Sequence, residues 1–154
     1  YYLARWRWKP RCILGLIETW LEVGNVDKAE AFLSEITEHL WLNEFPYKKY
    51  QVNVWRLRSQ FLSKKGQFKD AEIELSRAMS QAKRLGNPTL LWKTHQTLGN
   101  LYRKQKKAKE AKSEYQNALK IVNDIADNLT DKDLKKNYLQ SQTIQKLQNL
   151  EKRS

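Results

Sequence analysis

A seven-residue phrase recurs three times along this chain and limits its fold more than any other feature. It reads GNVDKAE at Gly24–Glu30, GQFKDAE at Gly66–Glu72 and KKAKEAK at Lys106–Lys112. Its alanines, Ala29, Ala71 and Ala111, are separated by 42 and 40 residues. A period of about 20–50 residues marks stacked supersecondary units, none of which buries its apolar face alone. Such architectures offer extended surfaces to partners rather than pockets to substrates. An interaction module is therefore expected, its partner unspecified.

Each repeat reads as a pair of helices. In the third, Trp92, His95, Leu98, Leu101 and Tyr102 mark one helical face, and Ala108, Ala111, Tyr115, Ala118, Leu119 and Val122 mark another. The second offers Trp55, Phe61 and Leu62, then Phe68, Ala71, Leu75 and Ala78; the first offers Ile13, Leu16, Ile17 and Trp20, then Val26, Ala29, Leu33 and Ile36. Gly24 and Gly66 fall where the first helix of a pair ends, a place that favours left-handed backbone. Alanines at the crossing let two antiparallel backbones approach closely.

Spacers at Asn43–Lys48, with Pro46, and at Gly86-Asn87-Pro88 separate the repeats. The expected layout is an incoming helix of a preceding repeat over residues 1–10, repeats at 11–44, 45–86 and 87–128, and a capping helix with tail over 129–154. The cap is expected to start at Thr130–Asp133, burying Leu134, Tyr138 and Leu139, with Ile144, Leu147 and Leu150 closing the stack and Glu151–Ser154 frayed. The opening phrase, which lacks an initiator methionine, reads as though cut from a longer protein.

Charge is unevenly spread. The net charge is +12, yet residues 17–44 hold seven acids against one base, Lys28. Residues 45–154 hold 24 bases and 10 acids, a field that suits acidic partners, although a lysine-rich solvated face would also serve solubility. No apolar run approaches the ~18 residues of a membrane span, so a cytoplasmic protein with no membrane partner is expected. Cys12 is the sole cysteine, and a buried, inert thiol is expected there.

The third repeat resembles the tetratricopeptide repeat, at Leu98, Gly99 and Tyr102, then Ala111, Tyr115 and Ala118, with His95 in place of the family's tryptophan. The second matches at Trp55, Ser59, Gly66, Ala71, Leu75 and Ala78; the first keeps Gly24, Ala29 and Leu33 but has Ile17 where glycine is expected and Ile36 for the last alanine. The resemblance implies an all-α, right-handed solenoid of three helix pairs, with helices longer than the family's period of about 34 allows. The phrases at Gly86–Trp92 and Leu129–Leu134 also look like the C-terminal tails of large bacterial signalling proteins, where such arrays follow an ATPase, kinase or cyclase domain.

In that family the first helices line a concave surface. The matching positions are Arg11, Leu14 and Glu18; Asn53, Arg56, Gln60 and Lys64; and Lys93, Gln96, Asn100 and Arg103. Guanidinium and amide groups offer several directed donors, which suits carboxylates and peptide backbone. The family's clamp for a C-terminal carboxylate is matched only at Lys93 and Asn100, while the first repeat offers Leu14 and Glu18.

Nothing in the sequence assembles a catalytic or metal site, and no cofactor is expected. His39 and His95 lie 56 positions apart without ligand spacing, and no glycine-rich phosphate loop occurs. Glu18 and Glu22 stack at i, i+4 and read as a solvated face. The Arg5–Arg11 phrase interleaves bases and tryptophans, but neighbours on a helix point about 100° apart, so Trp6 and Trp8 cannot form one flat platform together with the interleaved arginines. Lys104, Lys106, Lys107, Lys109 and Lys112 straddle a helix–helix turn and are the best candidates for phosphate contact. The expected function is a non-enzymatic module that binds an acidic or extended protein segment. Nucleic-acid binding through those lysines, or self-association through open solenoid ends, are the alternatives.

Overall fold

A computed structural model of the chain describes residues 2–42 and 48–153, with side chains at 10–38 and 48–153. The described residues form eight α-helices and no strand. These are α1 (Tyr2–Glu22), α2 (Val26–Leu42), α3 (Lys48–Lys64), α4 (Phe68–Leu85), α5 (Pro88–Lys104), α6 (Ala108–Asp127), α7 (Lys132–Leu139) and α8 (Gln142–Lys152). None of them is long and apolar enough to cross a membrane. The chain divides into two compact units, residues 1–81 and 82–154, the division falling inside α4.

In the first unit α1, α2 and α3 pack on one another. Their core combines Ile13, Ile17 and Leu21 of α1, Ala29, Leu33 and Ile36 of α2, and Val54, Leu57 and Phe61 of α3. These recur every three or four residues, so each helix turns one apolar stripe inward. Full burial of each large aliphatic side chain contributes about 1.5–3 kcal/mol. α3 carries a second buried stripe, Val52, Arg56, Ser59 and Ser63. α4 buries Ala71, Leu75, Ala78 and Ala82, and its buried Glu74 draws Arg58 of α3 to 4.0 Å and Arg77 to 3.3 Å.

The repeated phrase builds the same turn three times. Asn25 N–H donates to Trp20 O, Gln67 N–H to Leu62 O and Lys107 N–H to Tyr102 O, each at 2.9 Å. The residue before each donor bonds three back, at Leu21, Ser63 and Arg103. This is the paired closure that ends a helix through one left-handed residue. Gly24 and Gly66 take that conformation at φ +80° and +77°, as the sequence expects. In the third turn a lysine takes it, Lys106 at φ +61°.

In the second unit α5 and α6 form the most extensive helix contact, and α7 and α8 pack on α6. Trp92, Ala111, Tyr115, Ala118, Val122, Ile144 and Leu147 make the core, with Tyr102, Tyr138, Leu139 and Leu150 against it. A Cβ added at Gly99 would lie 2.6 Å from Cε1 of Tyr115, so glycine is what admits the ring. α5 begins as expected: Gly86 is left-handed at φ +58°, and Asn87 Oδ1 accepts from Leu90 N–H at 3.1 Å ahead of Pro88.

Several expectations are corrected. α1 runs unbroken through Pro10, so the helix does not stop there. The side chains of residues 1–9, including Trp6 and Trp8, and residues 43–47 of the first spacer lie outside the described residues, as does the His39 side chain. Cys12 is exposed rather than buried, because it sits about 100° around the helix from the Ile13–Ile17–Leu21 stripe. The C-terminal region forms two helices, capped at Asp131, whose Oδ1 accepts from Leu134 N–H at 2.9 Å. Tyr138 and Leu147 are nine residues apart, about two and a half turns, and would face opposite ways on one straight helix. The break at Gln140–Ser141 lets both reach the core. Leu134 is left 54% exposed, and α8 stays helical to Lys152 rather than fraying at Glu151.

Candidate partner-binding surface

The first-helix positions group differently from their expected roles. In the first unit Arg56 is buried, with 8% of its side chain exposed, and its Nη2 donates to Glu18 Oε1 at 3.3 Å. This brings one residue of α1 and one of α3, expected on a common surface, into direct contact. Arg56 is buried because it occupies the second buried stripe of α3, between Val52 and Ser59. The polar letters of that stripe hid it from hydropathy. Its Nε–H meets no acceptor among the described residues. Leu14 is core. Arg11 and Lys64 are exposed, Gln60 is half-buried, and Asn53 donates from Nδ2 to Lys49 O at 3.2 Å.

In the second unit Lys93, Gln96, Asn100 and Arg103 follow one face of α5 at i, i+3, i+7 and i+10. Lys93 sits 5.7 Å from the Trp92 ring centroid. Asn100 is tied to the core, since Tyr115 Oη donates to its Oδ1 at 2.8 Å, which fixes the amide's orientation. Burial pushes the Tyr115 phenol above its usual range, and the Arg103 charge partly opposes this. Burial alone raises Tyr138. His95 is half-buried and pairs through Nδ1 with Glu114 Oε2 at 2.6 Å, a partner that the sequence reading did not foresee.

The basic cluster collects at the α5–α6 turn. Lys104, Lys106, Lys107, Lys109 and Lys112 are all exposed. Lys107 Nζ lies 5.4 Å from the Tyr102 ring centroid, which holds one lysine against the turn.

Sequence reasoning missed a cleft of about 400 Å³ between α2 and α3, edged by Glu30, Ser34, Thr37, Glu38, Arg58 and Phe61. The spacing of Glu30, Ser34, Thr37 and Glu38 is a polar helical stripe that could have signalled it. Lys65, in the turn that follows α3, closes on Glu30 at 3.3 Å. Among the described residues no group of three or more His, Cys, Asp or Glu is gathered to hold a metal. Comparison with protein-family models, with curated proteins and with solved structures yields no match to this chain.

Proposed function

We propose that the chain is a right-handed, tetratricopeptide-type helical-repeat module without catalytic activity that binds an acidic or extended protein segment on the polar faces of α1 and α3. In this reading it acts in the cytoplasm as the C-terminal regulatory region of a larger signalling protein. A partner that binds two states of an upstream domain unequally would shift their populations. The observation that carries the reading is the Arg56–Glu18 contact, which joins two of the family's surface positions across α1 and α3. α3 adds Lys48, Lys49, Arg58 and Lys64 and has no acid, so its field favours an acidic ligand.

Fluorescence anisotropy with a labelled octaglutamate peptide tests this against an oligonucleotide of equal charge. Replacing Asn53 and Gln60 together by alanine is expected to weaken peptide binding by about tenfold, since each amide contributes about 0.5–1.5 kcal/mol. Lys106→Ala with Lys107→Ala leaves it nearly unchanged. The second reading, nucleic-acid binding, is favoured by the exposure of Lys106, Lys109, Lys112 and Arg103 around one turn. It predicts the opposite pattern, with the oligonucleotide preferred, the lysine variants defective and affinity falling steeply with salt.

A further inference from the structure

A buried guanidinium needs an anion. Its five N–H donors match a carboxylate best when two of them bind side by side. Arg56 falls short of that arrangement. One Nη2 contact to a single oxygen of Glu18, at the long distance of 3.3 Å, is its ion pair, and its buried Nε–H meets no acceptor among the described residues. The two partners are also unequal in burial. Arg56 is 8% exposed and fixed in the second buried stripe of α3, whereas Glu18 is 48% exposed on α1. Glu18 therefore reaches the guanidinium from the solvent side and can leave by the same route, while Arg56 stays.

We propose that Arg56, between α1 and α3, is a carboxylate-binding subsite that Glu18 occupies in the absence of a partner, so that an acidic segment binds by exchanging its own Asp or Glu carboxylate for that of Glu18. This rests on the reading of the chain as a binder of acidic segments and names the point of attachment. The resident group states the ligand class, since the site already accepts a carboxylate. The exchange keeps the buried charge paired throughout, and an unpaired buried charge is the costly state. An incoming carboxylate free of the α1 backbone can also align with Nε and Nη2 together. Glu18 thus lowers the apparent affinity by competing and limits occupancy to ligands that bind Arg56 better than it does.

The test uses the full chain and the labelled octaglutamate peptide, with wild type, Glu18→Gln and Glu22→Gln compared at fixed salt. Both variants remove one exposed acid of α1, but only Glu18 touches Arg56. Glu18→Gln is expected to tighten binding by about 3–10-fold, the loss of a partly exposed competing charge. Glu22→Gln, acting through the general field alone, should change it less than twofold. Equal effects of the two variants overturn the subsite while leaving the acidic-segment reading intact. A second arm needs no peptide: Glu18→Ala is melted in sodium acetate and in sodium chloride of equal ionic strength. Acetate should raise its melting temperature relative to chloride, and should do so more than in wild type. If acetate rescues the variant but no peptide binds wild type or Glu18→Gln, the subsite stands and the acidic-segment reading falls. If acetate and chloride act alike on Glu18→Ala, the subsite is overturned.

Discussion

The α1–α2 and α5–α6 pairs solve one packing problem in opposite ways. Residues 17 and 33 of the first pair correspond to residues 99 and 115 of the second, each shifted by 82 positions. In α1–α2 both are aliphatic, Ile17 and Leu33, and share one core. In α5–α6 the first is Gly99 and the second is the fully buried Tyr115, whose ring fills the space that a Cβ at Gly99 would enter. Bulk has moved from the first helix to the second. The crossing therefore requires filled volume at a position, with either helix able to supply it, because the interior is close-packed. The turns differ in the same spirit. Two end on glycine and one on Lys106, yet all three make the same hydrogen bonds.

The comparison can be broken first at its largest side chain. Tyr115→Ala should cost about 3–5 kcal/mol in chemical denaturation, as for other buried aromatics. Gly99→Ala should cost about 1–3 kcal/mol through overpacking. That loss should shrink by more than half in a Tyr115→Leu background, where a smaller partner resembles the first pair. Additive losses in the double variant would sink the idea that the two positions trade volume. At the turns, Gly66→Ala should cost about 1–2 kcal/mol, because an L-residue is strained in left-handed backbone. Lys106→Gly should do the reverse and stabilise by about 1 kcal/mol. A destabilised Lys106→Gly protein would mean that the lysine side chain contributes more than its backbone costs.

The smallest effect is one of pH. The folded protein holds the Tyr115 phenolic proton more tightly than the unfolded chain, whose tyrosine titrates near 10.0. The tyrosine's contribution is thus complete below that pH and is lost as pH rises toward the higher folded value. Tyr115→Phe should flatten this alkaline decline in a series of denaturation curves, and an unchanged decline would assign it to other groups.

The repeated turn phrase was legible in the sequence at each of its three occurrences. Ala29, Ala71 and Ala111 are all buried, and Gly24 and Gly66 are left-handed where the phrase places them. The candidate surface was legible only in part. Hydropathy marks Arg56 and Ser59 as surface letters, although α3 is buried along two stripes and takes both inward. The break between α7 and α8 carries only a weak local signal at Ser141, and it follows from where Tyr138 and Leu147 must point. Lys106 shows the limit of letter matching, since the repeat position, rather than the residue type, dictates its backbone.

By itself, then, the sequence determined an all-helical chain, the spacing of its helix pairs and the turns that join them, because helical periodicity and turn chemistry act over a few neighbouring residues. Only the tertiary structure decided which polar side chains are buried and with whom. It set Glu18 against Arg56, a partner 38 residues away, and Tyr115 against Gly99 and Asn100. Those pairings depend on which helix faces meet, and in a chain of amphipathic helices the local pattern is satisfied by any apolar stripe that finds another.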